Sequence, residues 1–401
     1  MTVWRSLVGQ GESVQVLQRA SSAGREIVEG RPVAPGSMTH AWLFTGPPGS
    51  GRSVAARAFA AALECDRGDE LGCGTCPACH MVLAGTHPDV HAVVPDGLSI
   101  SVAEMRAVVQ NAARMPAFGR WQVVVIEDAD RLTEAASNAL LKAVEEPADR
   151  TVFLLCAPST HPDDVSVTIR SRCRTIALRT PSAESVAAVL VDDGADPEQA
   201  AWAAQASQGH VGRARRLVRD EDARRRRAAV LAIPASLTSL QACLVAADHL
   251  IGAAEAESAA YSASRNEEET EALKVALGAG GTGKGAVAAT RGSAGAVKEL
   301  EKRQKSRATR SQRDSLDRAL TDLAAFYRDV LLVQGRADRG AAAVASAHPD
   351  FDDEVRAVAL QVTPAGALTR LDAVLACREA LELNVKPRFA VEAMTAALRL
   401  P

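Results

Sequence analysis

Aromatic residues are scarce: the chain of 401 residues holds 2 Tyr, 4 Trp and 7 Phe. A protein that stacks single-stranded nucleic acid along aromatic platforms is therefore not expected. Charge of one sign is also missing. The 46 Lys and Arg against 49 Asp and Glu leave a formal net charge of −3, which excludes gripping nucleic acid by bulk positive charge. No uncharged apolar run reaches the ~18 residues of a transmembrane helix. The first residues, Met1-Thr-Val-Trp-Arg-Ser6, lack the apolar segment of a secretory signal. A cytoplasmic protein with reduced thiols is expected. What is present is ordinary globular composition, 47% hydrophobic and 24% charged, enough for two or three domains and too apolar for a disordered chain.

The strand-like runs lie in the first 180 residues. Trp42–Thr45, Val123–Ile126 and Val152–Leu155 are continuous apolar runs between turn signals, as buried parallel strands require. Helical patterns at Ser53–Leu63, Val102–Ala113 and Glu134–Val144 alternate with them, so a parallel α/β sheet is expected over 1–180. Short amphipathic helices follow over 181–220. From 221 to 401 the chain reads as helical throughout, including Leu240–Ala256, Val297–Gln334 and Pro364–Leu398, with a flexible Gly-rich insert near 278–295.

Four motifs carry chemistry. Gly46-Pro-Pro-Gly-Ser-Gly-Arg-Ser53 follows a strand and opens a helix, the setting in which Gly46, Gly49, Gly51 and Ser53 cradle phosphates with backbone N–H groups. The pattern wants Lys where Arg52 stands, and a planar guanidinium does not reproduce a compact ammonium. Val123–Ile126 ends in Glu127-Asp128, two acids suited to Mg²⁺ and water but in reversed order. A one-methylene change moves each carboxylate by about an ångström, and errors of that size cost up to ~10²-fold in rate. Both departures point to a damaged nucleotide site. Cys65-x7-Cys73-x2-Cys76-x2-Cys79 supplies four thiolates that close a tetrahedral, structural zinc site, with no position left for a substrate. An iron–sulfur cluster is the alternative metal reading, although the Cys-Pro ending of ferredoxin-type runs is missing; His80 or His87 could replace one ligand. The fourth motif, Ser171-Arg172-Cys173, is unremarkable by composition alone.

Three further stretches invite over-reading. Gly278–Lys284 has phosphate-loop spacing, but Gly285 stands where Ser or Thr is needed, and no strand precedes it. Arg213–Arg227 is interrupted by Asp220, Glu221 and Asp222 and reads as a solvated helix face. Lys298–Arg313 is more purely basic and could track a DNA backbone, with a solvated face as the leading reading.

Taken in order, Leu7-Val-Gly-Gln10, His40–Gly51, the four cysteines, Asn138–Pro147 and Ser171–Cys173 resemble the AAA+ clamp-loader family, and within it the delta-prime group of bacterial DNA polymerase III. The resemblance spans residues 7–173; beyond about 220 it rests on helical character alone. It implies an AAA+ module, with a RecA-like parallel sheet over 1–180 carrying the Cys65–Cys79 zinc module, and a helical lid over 181–220. A helical collar over 221–401 would then pentamerise with gamma/tau motor subunits and delta. It also implies a stator that commonly hydrolyses no ATP, helps load a sliding clamp on primed DNA, and offers Arg172 as an arginine finger to a neighbouring ATPase site. Such a finger is worth ~10³–10⁵ in rate. The nucleotide-sensing polar residue is ambiguous among Pro158, Ser159 and Thr160, and a second sensor arginine falls near Gly212-Arg213. The competing expectations are an ATP-hydrolysing motor of the same loader and a zinc-dependent DNA-binding module. Whether ATP or ADP binds the altered loop stays open.

Overall fold

The computed structural model describes residues 2–68, 70–276, 285–336 and 346–400. The chain divides into two compact units, Met1–Pro95 with Ser99–Val218, and Asp96–Leu98 with Arg219–Pro401.

In the first unit, α1 (Gly11–Val28) leads into β1 (Ala41–Thr45). The phosphate-type loop and α2 (Arg52–Glu64) come next, followed by α3 (Pro77–Ala84), β2 (Val90–Val93) and α4 (Val102–Ala112). Then come β3 (Gln122–Ile126), α5 (Glu134–Glu145), β4 (Thr151–Ala157), the single turn α6 (Val167–Arg170) and β5 (Arg174–Ala177). Three short helices close the unit: α7 (Ala183–Asp192), α8 (Pro197–Ala206) and α9 (Val211–Arg219). The strands form one parallel sheet in the order β2-β3-β4-β1-β5. The expected parallel α/β architecture is therefore present.

The sheet's two faces follow from the two-residue period of a strand. Trp42, Phe44, Val123, Val125, Leu154 and Cys156 pack with Phe59 of α2 on one face. Leu43, Val124, Ile126, Phe153 and Leu155 pack with Met105 of α4 and Leu140 of α5 on the other. Burial on both faces explains why β1, β3 and β4 have no polar alternation. Each large side chain enclosed here contributes about 1.5–3 kcal/mol, and Trp42 meets Phe59 edge-on at 5.0 Å between ring centroids. The edge strand β2 escapes a reading by apolar runs because Val90-His-Ala-Val93 is short, polar at its second position and only partly buried. α4 starts where a capping box sets it: Ser101 accepts from Glu104 N, and the Glu104 carboxylate accepts from Ser101 N.

The second unit is helical. It comprises α10 (Glu221–Ser236), α11 (Leu240–Ala276), α12 (Gly285–Arg336), α13 (Asp352–Gln361), α14 (Pro364–Glu382) and α15 (Pro387–Ala397). Leu231, Leu250, Leu320, Phe326, Tyr327, Val374 and Met394 lie in its core. Three expectations are corrected. The Gly-rich insert near 278–295 is helical from Gly285 onward, as the first turns of α12; Gly278–Lys284 lies outside the described residues. Pro364–Leu398 is two helices, because Asn384 turns the chain with φ +64 and Pro387 starts α15. Arg213–Arg227 is not one solvated face. It spans the end of α9 and the start of α10, and Arg227 is buried. Among the described residues no helix is long and apolar enough to cross a membrane.

Candidate functional site

The sheet order reverses between β4 and β1, and the loop after β1 opens there, at the carboxyl ends of the strands. Pro158, just past β4, accepts a hydrogen bond from Gly46 N at 3.1 Å. The glycines are required by space. A Cβ on Gly46 (φ +153) would lie 2.5 Å from Leu178 O, and one on Gly49 (φ +85) would lie 2.7 Å from His210. Gly51 N-caps α2 with φ +94, in the left-handed region that favours glycine. Behind the loop, Gln10 is buried and clamps Arg179 with its amide, accepting from Arg179 N at 3.2 Å and donating to Arg179 O at 2.6 Å. The Leu7–Gln10 segment therefore acts through this buried glutamine.

Arg52 and Glu127 are both engaged within the protein. Arg52 Nη1 donates to Gly46 O at 3.0 Å, back into its own loop. Glu127 is paired with Arg57, one turn further along α2, with Arg57 Nε 3.1 Å from Oε1. A guanidinium beside the carboxylate occupies one of its oxygens and repels a divalent cation. Next to this pair, burial and then the proximity of Asp128 push the Asp130 carboxyl up. Ser53 occupies the first turn of α2. Of the sensor candidates, Ser159 donates to Asp164 at 2.5 Å and accepts from His161 N at 2.9 Å, so it serves its own loop. Arg213 N donates to Nδ1 of His210, the residue that covers Gly49.

The four cysteines come together. Cys65 follows α2, Cys73 sits in the Gly72–Gly74 turn, Cys76 N-caps α3 and Cys79 lies in its first turn. Their sulfurs all lie within 4.8 Å of one another, and all four residues are buried. Cys65 and Cys76 Sγ are 3.9 Å apart. A tetrahedral ion at ~2.3 Å from each sulfur needs separations of about 3.8 Å, so the set could hold one metal ion; a cluster of several irons spreads its thiolates more widely. Burial opposes ionisation of Cys73, yet hydrogen bonds from Thr75 and Cys76 outweigh it and pull the thiol down to about 6. Burial pushes Cys65 and Cys79 up, and a cation would offset that cost. His80 is not in the set, and His87 uses Nδ1 to accept from Asp89 N. Among the described residues no other group of His, Cys, Asp or Glu is gathered closely enough for a metal.

Arg172 stands at the surface just past α6. It pairs with Glu145 at 2.6 Å and donates to Thr168 O at 2.9 Å. The structure does not bring it to the phosphate-type loop; its neighbours belong to α5 and α6.

One feature has no motif to reveal it. Asp89 accepts the backbone N–H groups of Ala117, Phe118 and Gly119, and Glu64 accepts those of Arg120 and Trp121 at 2.7 and 2.9 Å. Two buried acids thus fix the loop before β3. Burial pushes Glu64 up to about 7 against those bonds. At Asp89 burial acts in the same direction, but the three N–H groups win and hold the carboxyl below its ordinary range.

A sequence-family model described as DNA polymerase III, delta subunit, matches residues 30–182. The DNA polymerase III subunit delta' of Bacillus subtilis is 31% identical over 194 residues, covering 48% of this chain and 58% of that protein. The delta' of Pseudomonas aeruginosa is 38% identical over 164 residues, covering 39% and 49%. The chain is related to the delta-prime subunits of DNA polymerase III. It spans about half the length of these curated relatives. The gamma/tau subunit of Mycobacterium tuberculosis is also similar, 32% identical over 186 residues and covering 46% of this chain and 30% of that protein. A gamma subunit-related protein of Thermotoga maritima aligns over 95% of this chain and 98% of its own, at 14% identity with a TM-score of 0.41.

Proposed function

We propose that this chain is the delta-prime-type stator of a DNA polymerase III clamp loader, assembling with gamma/tau and delta to load the sliding clamp on primer–template DNA in the cytoplasm. The observation that carries this reading is a delta-prime-like module whose nucleotide chemistry is disarmed. Arg52 replaces the loop lysine and points at Gly46 O, and Glu127 is taken up by Arg57. In this reading Gly46, Gly49, Gly51, Arg52, Ser53, Glu127 and Asp128 are a degenerate nucleotide site. Arg172 is an arginine finger given to the neighbouring motor, for which Glu145 must release it. Cys65, Cys73, Cys76 and Cys79 hold a structural Zn²⁺; residues 181–220 form the lid and 221–401 the collar.

The exposed apolar surface of the second unit supports a life in an assembly. Leu360 is 90% exposed, Leu383 73% and Phe389 62%, while Leu368 and Leu375 stand one heptad apart on α14. Contiguous exposed apolar surface marks partner sites, and these side chains are the candidates for one. Within the basic stripe of α12, Arg307 is bound to Glu269, and Arg313 donates to Leu381 O and Asn384.

The test is reconstitution with gamma/tau and delta. The chain should enter the complex and turn over no ATP alone. The 32% identity to gamma/tau favours a motor as the second reading. Vigorous hydrolysis by the isolated chain, abolished by Asp128→Ala, would replace the stator with that motor.

A further inference from the structure

His348 is fully enclosed in the second unit. Both ring nitrogens are engaged. Nδ1 lies 2.8 Å from Arg227 Nη2, and Nε2 lies 3.2 Å from the Asp322 carbonyl oxygen. A guanidinium only donates, so Nδ1 must be the unprotonated, accepting nitrogen, and Nε2 carries the hydrogen given to Asp322 O. The same Arg227 grips both carboxylate oxygens of Asp350, at 2.6 and 3.1 Å, with the Phe351 ring centroid 5.7 Å away. Asp329 Oδ2 accepts from Ser346 Oγ and from the backbone N–H of Ala347 and His348. These contacts fasten residues 346–351 against α10 and α12, immediately before α13.

We propose that the Arg227–His348–Asp350 cluster is an acid-released latch, which holds α10, α12 and the 346–351 segment together only while His348 is neutral. A proton on Nδ1 removes the acceptor from Arg227 and sets two cations against each other in a closed site. Among the described residues, the charged groups facing His348 are Arg227 from α10 and Asp322 and Asp329 from α12, with Asp350 reached through Arg227. The two α12 acids favour the imidazolium, but Asp329 is already engaged by Ser346 and two backbone N–H groups. Burial first, then Arg227, prevail and hold His348 below its ordinary range. A base depressed in this way leaves stability intact above pH ~6.5. Stability is lost as pH falls through that value, because the unfolded chain takes up the proton first. The latch is independent of the replication role.

Amide hydrogen exchange on the full chain, compared at about pH 7.5 and about pH 5.5 after correction for intrinsic rates, reads the latch directly. The amides of 346–361 should lose about tenfold in protection at the lower pH. His348→Asn, which keeps an accepting oxygen and cannot be protonated, should abolish the difference. Histidine C2-hydrogen exchange on the wild-type chain gives a second measurement, in which His348 should titrate below about 6.5. Equal protection at both pH values, a pH response that persists in His348→Asn, or His348 titrating at or above that value would overturn the proposal.

Discussion

Replacing Arg172 by Ala separates a structural role from a catalytic one, because the two predict effects of different size. The side chain is 38% exposed and its partner Glu145 39%. An ion pair that open to water is worth about 0.2–1 kcal/mol. Losing it shifts the melting temperature of a unit of this size by at most about 2–4 °C. A finger contributes ~10³–10⁵ in rate, which at 1.36 kcal/mol per decade is about 4–7 kcal/mol of transition-state stabilisation. Arg172→Ala should therefore leave the isolated chain folded and the complex assembled, while hydrolysis at the one motor site facing this subunit collapses. The assay is single-turnover ATP hydrolysis by the reconstituted loader with clamp and primed DNA, beside thermal unfolding of the isolated chain. Arg172→Lys should recover only part of the rate, since an ammonium lacks the planar fork. A complete set of motor sites firing at wild-type rate in the Arg172→Ala complex would refute the assignment.

The metal reading predicts that Cys76→Ala abolishes bound Zn²⁺ in elemental analysis and lowers the melting temperature of the first unit; it also removes the N-cap of α3, worth about 1 kcal/mol. Retention of stoichiometric zinc would contradict it. Asp89→Asn keeps one acceptor oxygen and turns the other into a donor facing the N–H groups of Ala117, Phe118 and Gly119, so at least one of them loses its acceptor; the change should cost about 1–3 kcal/mol in urea unfolding. The Asp89 carboxyl is held low in the folded state, so its contribution is present above the ordinary carboxylate range and lost as pH falls through it, and the variant should flatten that acid slope. Glu269, held at about 2 chiefly by its hydrogen bond from Arg307, stabilises the α11–α12 pair above pH ~4.5 and loses that contribution on acidification toward 2. Glu269→Gln should remove that acid dependence in circular dichroism titrations, and an unchanged titration would dismiss the pair as a stabilising contact.

The sequence displays its buried strands because a strand enclosed on both faces needs a continuous apolar run, as β1, β3 and β4 have, with polar residues (Thr45, Gln122 and Thr151) only at their ends. β2 lies at the sheet's edge and none of its residues is fully buried, so nothing forces such a run. The cysteine site is readable because all its ligands fall within fifteen residues and need only local turns. Arg227, His348 and Asp350 are not readable in the same way. Arg227 lies more than a hundred residues before His348 and Asp350 and meets them only through tertiary packing. Asp89 is similarly silent: a carboxylate accepting backbone N–H groups from a distant loop leaves no residue pattern at the accepting end. The pairing of Arg307 in the basic run of α12 is silent for the same reason, since its partner, Glu269, lies on a different helix.

The phosphate-loop motif also shows how a strong sequence signal can coexist with the degenerate site proposed above. Gly46 and Gly49 are demanded by the close approach of Leu178 O and His210, groups of the protein itself. Packing alone therefore requires these glycines, whether or not a nucleotide ever enters. Arg52 and Glu127 are under no such constraint: one leans on a loop carbonyl and the other on an exposed arginine, contacts worth little to stability. A chain whose task is to hold shape beside a working ATPase would keep the glycines and lose the charges. Restoring Arg52→Lys alone should therefore not restore hydrolysis, because Glu127 would remain bound to Arg57. Measurable turnover from that single change would show that the lysine, rather than the acid pair, limits the site.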